Sequence, residues 1–325
     1  MPDYKVAFLT MFPAETARLI IEPVPSGFQV TTEHTSAPEA RKIEILKDAD
    51  FVILFGERPT DAMLKACHKA RMVQLLSAGF DAVNVGLLGE MGIPVANVGG
   101  VNRIAVAEHA VTLMLSVLRK LPQRIEAVKT GNWRADVSGL DTFELYNKQV
   151  GIVGLGKIGS WVAGILKGFQ THVVYHDIRD IPKKEEQELE VTRVPFEDLL
   201  RTSDIVTLHV PLDNTTRDMI STRELAMMKP TAVLVNTCRG PVVDEPALYQ
   251  ALKDRRIWAA GLDVLVKEPP DMSNPILTLD NAIITPHAAG SARDNMPRRG
   301  KFAFQNFQRL LSGQEPLSLV TPTAK

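Results

Sequence analysis

Short β-branched or aliphatic runs alternate with amphipathic segments along the whole chain. This alternation is typical of parallel strands joined by crossover helices, so the sequence predicts an α/β fold. The predicted strands form a first series, Lys5–Thr10, Phe51–Phe55, Met72–Leu76 and Pro94–Asn97, and a second series, Gln149–Val153, His172–His176, Ile205–Val210, Ala232–Asn236, Ala259–Val264 and Ala282–Thr285. We therefore expect two doubly wound parallel sheets, the first with four strands and the second with six.

Helices are predicted between and after the strands. Apolar residues recur at helical spacing over Arg103–Leu121, which predicts a helix at the entrance to the second domain, and a run of phenylalanines predicts a final helix ending near Gly313. Ser221 and Glu224 have the spacing of a capping box, which predicts a helix start. The segment Lys183–Glu190 is almost wholly polar, which predicts a solvated loop or helix face.

The order of these elements predicts a chain that returns to its first domain. We expect a discontinuous domain of residues 1–101 and 291–325 and a second domain of residues 102–290, with the binding site in the cleft between them. The length of 325 residues suits two domains.

Composition and charge exclude several classes of protein. Lys and Arg number 37 against 38 Asp and Glu, and the net charge of −1 leaves no field that would attract nucleic acid or an anionic membrane. The most apolar stretch, Ala105–Leu118, is interrupted by Glu108 and His109 and is too short to span a bilayer. With only Cys67 and Cys238, we expect no disulfide framework, no metal site and a reducing, cytoplasmic setting.

A glycine-rich turn follows the first strand of the second series. The stretch VGIVGLGKIG contains the pattern GxGxxG at Gly154, Gly156 and Gly159. After a strand, the first glycine permits a tight turn, the second lets backbone N–H groups approach a pyrophosphate, and the third brings the next helix close to the strand. The apolar spacing that begins at Ile158 predicts this helix. The sequence thus predicts a dinucleotide-binding Rossmann domain, with Lys157 and Ile158 also at the cofactor.

Asp177 stands eighteen residues after the last of these glycines, at the end of the next predicted strand. A carboxylate there accepts hydrogen bonds from both ribose hydroxyls and repels a 2′-phosphate, so NAD is predicted in preference to NADP. Arg179 weakens this preference slightly. For the glycine pattern alone, the alternative is an ordinary turn. A methyltransferase would share the turn and the acid, but residues further along the chain argue against it.

Polar residues follow successive strands of the second series, and the carboxyl ends of parallel strands meet at one edge of a sheet. In chain order they are His209 and Thr216, with Pro211 between them, then Cys238 and Arg239, then Asp263 and Glu268, and finally His287. Each alone has an ordinary explanation, such as a surface ion pair or a capping histidine. Cys238 is interpreted as a packing residue, because no histidine base is adjacent to activate it. Together they place an acid, a carboxylate and a guanidinium where a nicotinamide would lie.

These side chains suit hydride transfer between a nicotinamide and a carbonyl carbon, which leaves charge on oxygen and requires a proton. His287 is suited to supply that proton, and Glu268 is suited to fix its tautomer and favour the imidazolium. The planar guanidinium of Arg239 binds a carboxylate in fork geometry and polarises the neighbouring carbonyl, and a 2-oxo acid offers both groups.

On these motifs the chain resembles the D-isomer-specific 2-hydroxyacid dehydrogenases. The resemblance implies that Arg239 binds substrate, that Glu268 supports the histidine and that His287 is the acid/base. The shared motifs are GIVGLGKIG at Gly151–Gly159, HVPLDNTT at His209–Thr216, NTCRGPVV at Asn236–Val243, Gly261–Val264 with Glu268 and Pro269, and PHAAG at Pro286–Gly290.

The resemblance also implies that NAD is the cofactor. Asp263 would hold the nicotinamide carboxamide. The segment from His209 through Pro211 to Thr216 would line the adenine side, with Cys238 among the residues that border the cofactor.

The first domain is similar to the family's substrate domain, which is flavodoxin-like. Backbone N–H groups around Ala78 and Gly79, in the sequence SAGFD, would bind a substrate carboxylate, the alternative being an ordinary tight turn. Val101 replaces an aromatic residue of D-lactate dehydrogenase-like members. Arg103 is hypothesised to meet a second anionic group on a larger substrate, the alternative being a solvated residue of the first helical turn. Because relatives commonly dimerise through the region of residues 103–121, a homodimer is expected.

The expected function is therefore NAD(H)-dependent interconversion of a D-2-hydroxy acid and its 2-oxo acid. The alternative is an NAD(H)-sensing interaction protein, since some corepressors keep this fold and its site residues. Formate dehydrogenase is a close relative, but it has an amide where this chain has Glu268.

Overall fold

The computed structural model describes residues 3–134 and 138–320. It divides into two compact units, one made of the described residues up to Asn102 and from Ser291 onwards, the other of Arg103–Gly290. The two units are called unit 1 and unit 2 below. In both, every strand pairs with its neighbours in parallel, which confirms the predicted α/β class with two parallel sheets.

Unit 1 contains a five-stranded sheet of order β2-β1-β3-β4-β5. Its strands are β1 Tyr4–Thr10, β2 Phe28–His34, β3 Phe51–Phe55, β4 Val73–Leu75 and β5 Val95–Ala96, and its helices are α1 Ala14–Ile21, α2 Glu39–Lys47, α3 Asp61–Ala66, α4 Val85–Glu90 and α12 Met296–Leu311. The prediction of four strands was wrong because it omitted β2. That strand lies at the edge of the sheet and is only half-buried, so polar residues interrupt its apolar ones.

The final helix, α12, completes one side of the unit 1 core. Its Phe304 and Phe307 are buried, and the ring of Phe307 stacks on that of Phe51 in β3 with a centroid distance of 4.3 Å. At Gly300 the helix approaches α1 so closely that a side chain would overlap the carbonyl oxygen of Ile20. The helix ends at Leu311, two residues before Gly313, close to the predicted end.

Unit 2 contains a seven-stranded sheet of order β12-β11-β10-β9-β6-β7-β8. Its strands are β6 Gln149–Val153, β7 His172–His176, β8 Val191–Arg193, β9 Ile205–Leu208, β10 Val233–Asn236, β11 Ala259–Leu262 and β12 Ala282–Ile284. Its helices are α5 Arg103–Leu118, α6 Leu121–Lys129, α7 Lys157–Lys167, α8 Lys183–Leu189, α9 Phe196–Thr202, α10 Thr222–Met227 and α11 Glu245–Lys253. The prediction of six strands was wrong because β8 is a three-residue edge strand with two exposed residues.

The strand order of unit 2 reverses at β6 and β9. These two strands lie side by side, although three helices and two strands separate them in the chain. In a doubly wound sheet the crevice outside the carboxyl ends of such strands is where nucleotides bind. Gly154 directly follows β6 and His209 directly follows β9. The topology therefore places the glycine-rich turn at the switch point of the sheet.

Two local predictions for unit 2 have different outcomes. The capping box of Ser221 and Glu224 is present at the start of α10. The segment Lys183–Glu190 is mainly the helix α8, and of its residues Lys183–Leu189 only Glu186 is buried, so the expected solvated helix face is wrong at Glu186 alone. Glu186 accepts a hydrogen bond of 2.6 Å from the hydroxyl of Tyr175. A buried phenol needs an acceptor, and the facing helix supplies it.

The long helix predicted over 103–121 ends at Leu118, and α6 begins at Leu121. Within the described residues, no helix is long and apolar enough to cross a membrane.

Candidate active site

The glycine-rich turn joins β6 to α7. Gly154 has a φ of +93°, and a side chain there would come within 2.7 Å of the carbonyl oxygen of His209. A side chain at Gly159 would overlap the carbonyl oxygen of Gly154, so the helix can lie this close to the turn only with glycine. Gly156 is the N-cap of α7 and supplies no side-chain cap. The first N–H groups of α7, which begins at Lys157, therefore form a cradle that fits a pyrophosphate.

Asp177 follows β7 and lies against this turn. Its carboxylate accepts hydrogen bonds from the N–H groups of Leu155 at 2.8 Å and Arg179 at 2.9 Å. The guanidinium of Arg179 also donates to it, at 3.0 and 3.2 Å. Burial raises the pKa of Asp177, but the hydrogen bonds and the charge of Arg179 outweigh burial and hold the pKa below its usual value. Asp177 is thus an ionised carboxylate at the turn, where a ribose would bind.

His209, Pro211 and Thr216 lie in the loop after β9. Burial of the ring lowers the pKa of His209 to about 3, so the ring is neutral. Its Nε2 lies 2.9 Å from Oγ1 of Thr207, and its buried Nδ1 has no hydrogen-bond partner within residues 3–134 and 138–320. The hydroxyl of Thr216 donates to the carbonyl of Pro211 at 2.7 Å, which closes the loop.

Cys238 and Arg239 follow β10. Burial raises the pKa of the Cys238 thiol to about 11, and its Sγ donates to Oδ1 of Asn236 at 3.1 Å. The guanidinium of Arg239 donates to the carbonyl of Cys238 at 2.7 Å. At Gly240 a side chain would overlap the carbonyl oxygen of Leu265, so this segment packs directly against the loop that carries Glu268.

His287 and Glu268 are joined by a hydrogen bond of 2.6 Å between Nδ1 and Oε2. The second carboxylate oxygen, Oε1, accepts a bond of 3.0 Å from the N–H of Leu265. Burial raises the pKa of Glu268, but the bond from His287, its charge, the bond from Leu265 and the charge of Arg239 outweigh burial and hold the pKa below its usual value. Because Nδ1 is engaged, Nε2 is the ring nitrogen left to exchange a proton with a ligand.

Asp263 anchors the turn that carries His287. Its carboxylate is 1% exposed and accepts bonds from the hydroxyl of Thr285 at 2.6 Å and the N–H groups of Ala288 and Ala289 at 2.9 and 2.8 Å. Its carbonyl accepts from the N–H of His287 at 2.8 Å. Sequence reasoning missed Thr285, because a threonine directly after a strand gives no signal of the side chain it will contact.

Ala78 and Gly79 lie in a turn of unit 1 after β4. The hydroxyl of Ser77 donates to the carbonyl of Gly79 at 2.7 Å, the amide of Asn97 donates to the carbonyl of Ala78 at 2.9 Å, and buried Arg299 donates to the carbonyl of Leu76. Within the described residues, the N–H groups of Ala78 and Gly79 donate to no protein acceptor. Fixed carbonyls and open N–H groups fit a small anion such as a carboxylate.

Unit 2 thus brings Arg239, Glu268 and His287 to the carboxyl edge that also holds the glycine-rich turn. Arg103 begins α5, and its guanidinium lies 5.4 Å from the ring centre of Trp161 in α7. Sequence reasoning also missed Arg299. Within residues 3–134 and 138–320, no cluster of three or more His, Cys, Asp or Glu side chains could hold a metal ion.

Comparisons with known proteins identify the relatives of this chain. Residues 111–289 match the family model of the D-isomer specific 2-hydroxyacid dehydrogenase, NAD binding domain. A glyoxylate reductase of Korarchaeum cryptofilum is 36% identical over 92% of each chain. A hydroxypyruvate reductase of Thermotoga maritima is 32% identical over 92% of this chain and 96% of its own. Among solved structures, the NAD-complexed form of a D-isomer specific 2-hydroxyacid dehydrogenase from Lactobacillus delbrueckii ssp. bulgaricus superimposes with a TM-score of 0.80, at 26% identity over 98% of this chain and all of its own.

Proposed function

The chain belongs to the D-isomer-specific 2-hydroxyacid dehydrogenase family, an NAD-dependent family of oxidoreductases, and we propose that it reduces a small 2-oxo acid with His287 as the proton donor. The observation that carries this proposal is the short bond from Nδ1 of His287 to Glu268, on a turn that Asp263 anchors at the carboxyl edge of unit 2. The membership confirms the family, the enzyme class and the cofactor NAD that the sequence predicted.

The residues at the switch point would hold NAD in the following way. The N–H groups of the turn Gly154–Gly159, with Lys157 and Ile158 at the start of α7, would bind the pyrophosphate, and Asp177 would accept bonds from the ribose hydroxyls. His209, Pro211, Thr216 and Cys238 would border the cofactor. Oδ2 of Asp263, which accepts a single bond from the N–H of Ala289, would hold the nicotinamide carboxamide. The bound cofactor supplies the hydride.

The protein supplies the proton and the charge stabilisation. As the carbonyl carbon of the substrate gains a hydride, its oxygen gains an electron pair and takes the proton from Nε2 of His287. Glu268 stabilises the imidazolium before this step and keeps the ring oriented after it. In the reverse direction the neutral ring accepts the hydroxyl proton.

Each unit has groups suited to a substrate carboxylate. In unit 2 the guanidinium of Arg239 would bind it in fork geometry. In unit 1 the open N–H groups of Ala78 and Gly79 are suited to the same kind of anion. Glyoxylate and hydroxypyruvate are the first acids to test, because relatives of similar length carry those names.

The test is NADH oxidation with glyoxylate, hydroxypyruvate, phosphohydroxypyruvate, pyruvate and aryl pyruvates. We expect turnover with at least one of these acids, and His287→Ala should lower kcat by ~10²–10⁴ while NADH still binds. NADH binding without turnover on any acid would contradict the proposed function, and full turnover in the His287 variant would contradict the mechanism.

We further propose that the chain forms a homodimer through the region of residues 103–121 and the helix that follows. Leu121, Ile125 and Val128 of α6 are exposed and lie on one helical face, which supports an apolar contact there. Sedimentation of the wild type and of Ile125→Glu tests it, with a dimer expected for the first and a monomer for the second.

Both cysteines, Cys67 and Cys238, are free, which supports a reducing compartment such as the cytoplasm.

A further inference from the structure

His109 is a polar residue in the otherwise apolar helix α5, and it faces the end of the unit 2 sheet. Its Nε2 lies 3.0 Å from Oγ1 of Thr285, the residue that follows β12. The same nitrogen lies 3.4 Å from Oδ1 of Asp263, which follows β11. The helix therefore places one ring nitrogen against Thr285 and Asp263, the two side chains next to the turn that carries His287.

The direction of these hydrogen bonds can be assigned. Thr285 has a single hydroxyl proton, and at 2.6 Å from Asp263 that proton is donated to Oδ1 of the carboxylate. The hydroxyl oxygen of Thr285 is then an acceptor toward His109, so Nε2 of His109 carries a proton and donates it. The three side chains are thus linked by two hydrogen bonds, from His109 to Thr285 and from Thr285 to the Asp263 carboxylate.

Asp263 is in turn hydrogen-bonded to the backbone around His287. Its carboxylate accepts the N–H groups of Ala288 and Ala289, and its carbonyl accepts the N–H of His287. His287 has a φ of +52°, a left-handed conformation that is uncommon for a residue other than glycine and has a cost in free energy. The conformation of this turn therefore depends on the Asp263 carboxylate keeping a single orientation.

We propose that His109 is a positioning residue that, through Thr285 and Asp263, holds the turn carrying His287 in the orientation required for proton transfer. The inference rests on the proposed role of His287. His109 does not touch the substrate. Its effect is on where Nε2 of His287 points and on how closely Nδ1 stays against Glu268.

The first pair of variants tests the donor. His109→Leu removes the donating nitrogen, whereas His109→Gln retains an N–H at the equivalent position of the side chain. We expect His109→Leu to lower kcat for 2-oxo acid reduction about tenfold, the value of one lost hydrogen bond, without a change in the KM of the acid. The alkaline limb of its pH profile should move to lower pH, since the imidazolium of His287 loses part of its contact with Glu268. His109→Gln should restore both properties.

The second pair tests the relay. Thr285→Val removes the hydroxyl and should reproduce the kcat and the pH profile of His109→Leu, whereas Thr285→Ser keeps the hydroxyl and should resemble the wild type. The double variant His109→Leu/Thr285→Val should be no slower than either single variant, because the two residues act as one unit. Circular dichroism and thermal unfolding establish that each variant folds.

The outcomes separate this inference from the proposed function. If His287→Ala abolishes turnover but His109→Leu keeps the wild-type kcat and pH profile, the positioning role is wrong and the acid/base role stands. Multiplying effects in the double variant, or a loss that His109→Gln does not rescue, would also overturn the relay. If His287→Ala keeps full turnover, the proposed function itself fails.

Discussion

Oε2 of Glu268 accepts a hydrogen bond of 2.6 Å from Nδ1 of His287, while Oε1 of the same carboxylate is held by the N–H of Leu265. The glutamate therefore cannot rotate away without losing a backbone bond. This arrangement fixes which nitrogen of the imidazole faces a ligand, and it keeps a negative charge beside the ring that must be positive before reduction.

Glu268→Gln tests that charge. The pKa of Glu268 is held below its usual value, so the carboxylate and the stabilisation it gives are present above the usual pKa of 4.5 and are lost only as pH falls through the lower value in the folded protein. We expect Glu268→Gln to lower kcat/KM for reduction roughly tenfold at neutral pH and to move the alkaline limb to lower pH. Steady-state rates between about pH 5 and 10 measure this. An unmoved limb would mean that another group controls the profile.

Arg239→Lys and Arg239→Ala test the binding of the substrate carboxylate. Loss of the forked pair should raise the KM of the 2-oxo acid by about 10–100-fold and also slow hydride transfer, because bonds between charged groups are worth roughly 1.5–3 kcal/mol. The lysine keeps the charge but not the fork, so its KM should lie between those of alanine and the wild type. An unchanged KM in both variants would place the carboxylate elsewhere.

Asp177→Ala tests cofactor selection. Removing the carboxylate removes its repulsion of a 2′-phosphate and releases the guanidinium of Arg179, so the NADPH/NADH ratio of kcat/KM should rise about tenfold. The double variant Asp177→Ala/Arg179→Ala is the matched control and should lose most of this gain. A ratio that stays constant in Asp177→Ala would contradict the ribose-binding role.

Lys42 and Glu57 form a buried ion pair of 2.9 Å in unit 1, and Lys42 also donates to the carbonyl of Thr35. Lys42→Met should lower the free energy of unfolding by about 3–5 kcal/mol, because it leaves an uncompensated buried carboxylate. The double variant Lys42→Met/Glu57→Leu should recover most of this loss. Urea unfolding compares the three proteins, and a Lys42→Met variant as stable as the wild type would show that Glu57 finds another partner or water.

Two helical glycines have opposite expected responses to alanine. Gly300→Ala should destabilise unit 1 by about 1–3 kcal/mol or more, since the new methyl group overlaps the carbonyl of Ile20. Gly164→Ala in α7 meets open space and should stabilise by about 0.5–1 kcal/mol through the lost entropy of the unfolded chain. Thermal unfolding of both variants checks the signs, and equal effects would contradict the packing between α1 and α12.

The fold was largely predictable because buried parallel strands are continuous apolar runs. β3, β6 and β7 begin and end at the predicted residues. The edge strands β2 and β8 were not predicted. Each is paired and buried on only one side, so it contains both polar and apolar residues. Glu186 was misjudged for a related reason, because its partner Tyr175 lies on another element.

Part of the candidate site was predictable, because the carboxyl ends of parallel strands meet at one edge of the sheet. Arg239, Glu268 and His287 lie in the loops that follow β10, β11 and β12, so the order of the strands brings them to one edge. The contacts of His109 depend instead on the rotation of α5 against β11 and β12. A histidine in an apolar helix gives no indication of which side chains it will contact. The hydrogen bond between His109 and Thr285 could therefore be found only from the structure.

The return of the chain to unit 1 after residue 290 sets an order of events during synthesis. Unit 2 is one uninterrupted stretch and has all its strands once Gly290 has left the ribosome. The first hundred residues, although made earlier, must wait for α12 to cover Phe51 with Phe304 and Phe307. During that interval the nascent chain presents an aromatic surface that is a target for chaperones and a starting point for aggregation.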